Sequence, residues 1–196
     1  MGKLYYLMGK SAAGKNEIYE ALMNMPELKL KPLVLYTTRP IRCGETDGVD
    51  YYFTDEEGLQ KLQSQGRVIE LRTYHTVHGD WNYFTVDDGH ADLDHQNYLG
   101  IGTLESYIAI RNYLGSGRVI PLYIETEDGV RLERALKRER KQAHPEYEEM
   151  CRRFLADQKD FSEENLAHAG ITRRYSNEGP RENCIREIAD MIRQSE

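Results

Sequence analysis

Apolar residues fall in short runs separated by stretches of helical period along most of the chain. Leu4-Tyr5-Tyr6-Leu7-Met8 is an unbroken apolar run, the pattern of a strand covered on both faces, and Lys3 to Met8 is read as that strand. Lys15 to Met25 is helix-compatible and is ended by Pro26. Leu33 to Tyr36 predicts a short strand, and Thr37 to Gly48, polar and broken by Pro40 and two glycines, a loop. Val49 to Phe53 alternates aromatic residues as a strand does. Thr54-Asp55-Glu56-Glu57 reads as a capping box opening a helix to about Gln65. Arg67 to Tyr74 and Asn82 to Val86 predict strands joined by a turn containing His and Gly, and Asp87-Asp88-Gly89 marks another turn. Further on come a strand from Asn97 to Ile101, a helix from Thr103 to Leu114 stopped by Gly115, and a strand from Arg118 to Ile124. Charged helices follow over Asp128 to Gln142 and Tyr147 to Asp160, then a strand from Ile171 to Tyr175 and an amphipathic helix from Arg181 to Arg193. Strands alternating with helices predict an α/β fold, a parallel sheet with helices on both faces. The β-rich stretch at about 37–96 interrupts that alternation and is expected to form a small inserted lobe.

Composition narrows this only slightly. The chain has 196 residues, 39% hydrophobic and 30% charged, enough to bury one core and too apolar for disorder. A net charge of −7 argues against nucleic acid as a partner, and no apolar run is long enough to span a membrane. No leader pattern precedes the first strand. Cys43, Cys151 and Cys184 are odd in number and far apart, without disulfide or metal spacing, which suits a reducing cytoplasm. His75, His78, His90 and His95 sit in turns without i, i+4 pairing and are read as loop residues rather than metal ligands.

The chemistry starts directly after the first strand. Gly9-Lys10-Ser11-Ala12-Ala13-Gly14-Lys15-Asn16 is a Walker A pattern, G-x-x-x-x-G-K, in the strand–loop–helix setting that the motif requires. Its amides (Gly9, Ser11, Ala12, Ala13, Gly14, Lys15, Asn16) would form an anion nest at a helix N-terminus, and Lys15 would add a point charge for the outer phosphates. The final position is Asn16 where the motif has Ser or Thr, the hydroxyl that binds Mg²⁺. An amide oxygen can take that place with different geometry. A second cluster lies in the loop after the next strand: Arg39, Arg42, Glu45 and Tyr51 within thirteen residues. Two guanidinium forks grip a phosphate well; a solvated charged loop is the other reading.

Together, the P-loop and Thr37-Thr38-Arg39-Pro40-Ile41-Arg42-Cys43-Gly44-Glu45-Thr46-Asp47-Gly48-Val49-Asp50-Tyr51 resemble the guanylate kinase family, whose pattern is T-T-R-x-P-R-x-G-E-x-x-G-x-D-Y. Glu70 after an apolar strand, the stretch from His78 to Thr85, and Tyr175-Ser176-Asn177-Glu178 are similar to further family segments. The resemblance implies a P-loop NTPase fold in one domain, with a core over 1–36 and 97–196, an acceptor-binding lobe at about 37–96 and a helical lid at about 137–158. It implies transfer of a phosphoryl group from ATP to GMP with Mg²⁺. Arg39, Arg42, Tyr51 and Tyr83 would hold the acceptor's phosphate, Glu70 the guanine, and Glu45 would orient Arg42 or touch the acceptor. Lys15 would hold the donor, and Arg140 and Arg153 would close the lid over the transferring group. The chain departs from the family at Leu99-Gly100-Ile101-Gly102, where L-D-I-D would supply carboxylates to the acceptor base and the metal region; Asp92, Asp94 and Glu105 are the candidate replacements. It also lacks an expected helix over Val86 to Gln96. These departures keep open a kinase of another phosphorylated acceptor, such as a different nucleotide or a ribose phosphate. A non-catalytic binding module is the third reading, against which the intact Lys15 and loop glycines stand.

Overall fold

The computed structural model describes residues 2–76 and 79–195. Its main sheet has five strands: β1 (Leu4–Met8), β2 (Leu30–Pro32), β7 (Asn97–Ile101), β8 (Val119–Glu125) and β9 (Arg174–Ser176). They run in the order β2-β7-β1-β8-β9, and every pair is parallel. β1 is central and all five of its residues are buried. Successive side chains of a strand point to opposite faces, so β1 feeds two cores. Leu4, Tyr6 and Met8 pack with Leu104, Tyr107 and Ile110 of α3 (Leu104–Leu114). Tyr5 and Leu7 pack with Ile18 and Leu22 of α1 (Lys15–Met23) and with Ile188 and Ile192 of α7 (Arg181–Gln194). The apolar run that marks β1 is therefore the hinge of both layers, and the carboxyl ends of β1, β7 and β8 open on one edge, where ligands of such sheets bind.

The second sheet is β4-β3-β6-β5, built from β3 (Tyr36–Thr37), β4 (Tyr52–Phe53), β5 (Val68–Thr76) and β6 (Gly79–Val86). β5 and β6 form a hairpin that pairs Glu70 with Thr85 and Arg72 with Tyr83. This is the expected inserted lobe, with α2 (Glu56–Ser64) between β4 and β5. Beyond β8 come α4 (Asp128–Glu139), α5 (Tyr147–Asp160) and α6 (Glu163–His168).

Several boundaries differ from the sequence expectation for identifiable reasons. The apolar run at Leu33 to Tyr36 is not one strand. Leu33 still donates its N–H to Leu99 at 2.9 Å, and the chain then crosses to the lobe, where Tyr36 starts β3. Val49 and Asp50 both satisfy their N–H groups on the carbonyl of Thr46, so the turn extends to Tyr51 and only Tyr52–Phe53 pairs as a strand. α2 is capped by Asp55, which accepts from the Gly58 N–H at 2.8 Å, rather than by Thr54. The reciprocal capping box sits instead on α3, between Thr103 and Ser106. α4 stops at Glu139, a buried carboxylate that accepts from the Glu146 N–H at 2.8 Å and so turns the chain toward α5. Ile171 closes α6, its N–H on the carbonyl of Leu166 at 2.9 Å, and the last strand begins only at Arg174. Val86 to Gln96 contains no helix, as expected; Asp92 donates its N–H to the hydroxyl of Tyr98 at 2.9 Å.

Candidate active site

β1 delivers the phosphate loop to the start of α1. Gly14 is the N-cap at φ 91°, and no side chain caps the helix, which leaves its first amides to an anion. A Cβ at Gly14 would stand 2.4 Å from Nδ2 of Asn177, so glycine is required here for space as well as for the backbone turn. Asn177 is buried and ties the loop down by donating Nδ2–H to the Ala13 carbonyl at 2.7 Å. Lys15 folds back over the loop, its Nζ donating to the carbonyls of Gly9 at 2.8 Å and Lys10 at 3.0 Å. Burial lowers its pKa from 10.5 to about 8, with Asp157 opposing and Arg131 reinforcing the shift. Asn16 is exposed on the first turn of α1.

The helices α4 and α5 meet this loop at residues that the sequence pattern did not single out. Asp157 of α5 accepts from the Ser11 N–H at 2.7 Å. Arg131 of α4, only 1% exposed, stands 3.5 Å from Asp157, 3.3 Å from Asp128, and 3.4 Å from the Ser11 carbonyl. Its guanidinium stacks over Phe154, 4.8 Å from the ring centre, and its Nε and Nη2 are buried without a hydrogen-bond partner. Arg134 donates to the Asn177 carbonyl at 2.9 Å and leaves Nη1 similarly unpaired. Buried guanidinium donors without hydrogen bonds around a phosphate loop suit an anionic ligand. Arg140 and Arg153, in contrast, are exposed. Arg153 pairs with Glu149 at 2.6 Å; with Arg152 on the same carboxylate, the Glu149 pKa falls to about 2, the hydrogen bond from Arg152 being the largest cause. Neither Arg140 nor Arg153 makes a hydrogen bond or ion pair with the loop among the described residues. The i, i+3 spacing of Arg131 and Arg134 on one face of α4 was the available signal for the pair that does lie beside it.

In the lobe, Arg39 is 3% exposed. Its fork grips Glu45 at 2.7 and 3.0 Å, and its Nε donates to the Tyr83 hydroxyl at 3.1 Å. The guanidinium lies over the rings of Tyr51 and Phe53, at 5.5 and 5.7 Å, and Tyr51 meets Tyr83 edge-on. Arg39, Tyr51 and Tyr83 are thus brought together. Glu45 orients Arg39 and not the Arg42 side chain: it takes only the Arg42 backbone N–H, at 2.8 Å. Its pKa is lowered, first by the Arg39 hydrogen bond. Arg42 is exposed, with its guanidinium over Trp81.

Glu70 is buried on β5. Its Oε1 accepts from the Thr85 hydroxyl at 2.8 Å, and Arg72 holds both its oxygens, Nε at 3.0 Å and Nη2 at 3.3 Å. A cleft of about 820 Å³ separates β5 from α3 and is lined by Arg72, Tyr74, Thr103 and Glu105 among others.

The glycines in and just past β7, Gly100 and Gly102, have a direct physical cause. Tyr6 is fully buried opposite Gly100 in the ladder. A Cβ on Gly100 would come 2.8 Å from the Tyr6 ring, and one on Gly102 would come 2.1 Å from the Tyr6 hydroxyl. That hydroxyl bonds Ser106 Oγ at 2.8 Å, and burial raises its pKa to about 12. Tyr6 therefore fills the space in which carboxylate side chains at 100 and 102 would start. Of the candidate replacements, Asp92 pairs with His95 and Asp94 with Arg118; only Glu105 lines the cleft. No three His, Cys, Asp or Glu converge on a metal site among the described residues. His75 and His90 pair singly with Asp80 and Asp88, and His78 lies outside the described residues. A Mg²⁺ held mainly by nucleotide phosphates and water needs no such cluster, and Asn16 is the side chain at the loop end with an oxygen to offer.

Residues 1–88 match the family model for guanylate kinase. A guanylate kinase of Streptococcus mutans is 37% identical over 73 residues, covering 37% of this chain and 35% of the relative. One of Aliivibrio fischeri is 35% identical over 103 residues, covering 48% of this chain and 50% of the relative. The chain thus spans about a third to a half of the length of the curated relatives it matches. The crystal structure of guanylate kinase from Anaplasma phagocytophilum superposes with a TM-score of 0.61 at 21% identity, covering 98% of this chain and 85% of that one. Over its first 88 residues the chain is therefore similar to the guanylate kinase family, and over nearly its whole length it shares the fold of a guanylate kinase structure.

Proposed function

We propose that the protein transfers a phosphoryl group from ATP to GMP, giving ADP and GDP, in the cytoplasm. The observation that carries this reading is the wiring of the lobe. Arg39, Tyr51 and Tyr83 form one packed unit, and Glu70 and Arg72 stand beside it on the paired strand. In this reading the unit holds the acceptor's phosphate, with Arg42 joining from the exposed side of the loop. Glu70 accepts from the N–H groups of guanine's Watson–Crick edge, which a carboxylate suits. Lys15 and the loop amides hold the donor's phosphates. Phosphoryl transfer depends on positioning and positive charge more than on covalent chemistry, so these groups suffice in kind. Mg²⁺, when bound, neutralises charge between the donor's phosphates, and Asn16 is the loop side chain that would face it. The segment at about 137–158 acts as a lid, Arg140 and Arg153 swinging in to join Arg131 and limiting loss of the phosphoryl group to water.

The test is a coupled assay with ATP and Mg²⁺ against GMP, AMP, CMP, UMP and ribose phosphates. Phosphorylation of GMP well ahead of the others is expected. Turnover of a different acceptor, or binding of ATP with no acceptor turned over, overturns the reading.

A further inference from the structure

Arg72 has no assigned part in the chemistry described so far, yet it is 13% exposed and lines the cleft between β5 and α3. Two of its nitrogens are committed to Glu70, and Nη1 makes no hydrogen bond among the described residues. The Tyr6 hydroxyl is close enough to feel its charge. On that core side, Gly100 and Gly102 bring no carboxylate to the cleft. A ligand in the cleft therefore meets the Arg72 guanidinium, with the Glu70 carboxylate locked edge to edge against it just behind the lining and Glu105 on the α3 side. Guanine's Watson–Crick edge carries an acceptor, O6, next to two donor positions, N1–H and the 2-amino group. Arginine is a common partner of O6, and a carboxylate accepts only.

We propose that Arg72 is a specificity-determining residue: it holds Glu70 toward the N1–H and 2-amino side of the acceptor's purine and donates its own free N–H to O6. This rests on the reading of the site as a GMP kinase. Arg72 also acts on Glu70 as a positioning group, since a carboxylate fixed by a fork loses less freedom on binding.

Three nucleotides separate the contacts. 6-Thio-GMP keeps both donor positions and replaces O6 by a poor acceptor. IMP keeps O6 and lacks the 2-amino group. kcat and KM are measured for GMP, 6-thio-GMP and IMP with the native enzyme, Arg72→Met and Arg72→Lys, with ATP affinity as the control for folding. The native enzyme is expected to favour GMP over 6-thio-GMP by about tenfold in kcat/KM, one charge-assisted hydrogen bond. In Arg72→Met that ratio falls below about twofold, mostly through KM, while the preference for GMP over IMP persists. Arg72→Lys recovers part of the 6-thio ratio, and it carries the test alone if Arg72→Met does not fold. A uniform loss for all three nucleotides, with both ratios unchanged, reduces Arg72 to a structural partner and overturns the proposal. A native enzyme that turns over none of the three overturns the GMP-kinase reading, and the proposal with it.

Discussion

The phosphate loop and the proposed acceptor side of the molecule are built from different parts of the chain's chemistry. The loop works through backbone amides, a left-handed turn and one lysine, so its side chains are few and short. The lobe and the sheet edge beside the cleft are built from side chains that touch one another: Arg39 on Glu45, Arg72 on Glu70, Tyr6 over Gly100 and Gly102. The comparison teaches where change is tolerated. A backbone-built site survives a change at its edge, as at Asn16, because the amides stay. A site built from side chains changes in groups, because each member fills the space or balances the charge of another.

The sharpest break in this comparison is Lys15→Met, which removes the one loop side chain proposed to hold the donor's phosphates. Phosphoryl transfer should fall by on the order of 10²–10³-fold without loss of stability. Stability should in fact carry a pH signature. The folded pKa of about 8 lies below the unfolded value of 10.5, so the unfolded chain binds more protons between these values. The native protein should gain stability relative to Lys15→Met as pH rises through that window. Melting curves of the two proteins from pH 7 to 10.5 check this, and parallel curves would refute it.

Next in size is Arg39→Ala, which should weaken GMP binding by about 1.5–3 kcal/mol and leave ATP binding intact. Arg42→Ala, on the exposed side of the same loop, should cost less. Calorimetry with GMP and with guanosine separates the phosphate contribution; equal losses for both ligands would remove the phosphate role.

In the cleft, Gly102→Ala should destabilise the fold by about 1–3 kcal/mol through overpacking against Tyr6. Tyr6→Leu should relieve most of that cost in the double variant. Denaturant titration of the four-member cycle measures the coupling, and strict additivity would mean that Tyr6 does not hold Gly102 to glycine.

The smallest effect on stability is expected at Arg153→Ala. An exposed pair contributes about 0–1 kcal/mol, so the melting temperature should barely move, while kcat falls about tenfold if the arginine closes with the lid. An unchanged kcat would leave Arg131 as the lid's contact with the loop.

The same division explains what could be read from the residues alone. β1, the phosphate loop and α1 are local in sequence, and the buried run Leu4 to Met8 beside Gly9-Lys10-Ser11-Ala12-Ala13-Gly14-Lys15 carried its own context. α5 was legible to the residue, Tyr147–Asp160, because its amphipathic pattern has clear ends. Arg39, Tyr51 and Tyr83 were legible as a set through the family pattern. Arg72 and Tyr6 were not, since their meaning lies in partners that a local pattern does not mark: Glu70 two residues away on the same face of β5, and Gly100 and Gly102, in and just past a strand almost a hundred positions later. Arg131 looked like one more charge on a charged helix; only burial against Phe154 and the loop distinguishes it. The crossing of the chain from one sheet to the other at Leu33 to Tyr36 was hidden because an apolar run does not show which sheet receives it.

On the proposed reading of the loop as the donor site, the contact between Asp157 and the Ser11 amide gives that site a built-in competitor. A donor phosphate does not fill that amide; it replaces an anion already bound to it. The affinity for ATP would then be the intrinsic affinity of the loop multiplied by the fraction of molecules in which Asp157 has swung away. Because Asp157 sits on α5, which is proposed to belong to the lid, that fraction would be set by lid position, and loading the donor and freeing the lid would be two descriptions of a single exchange.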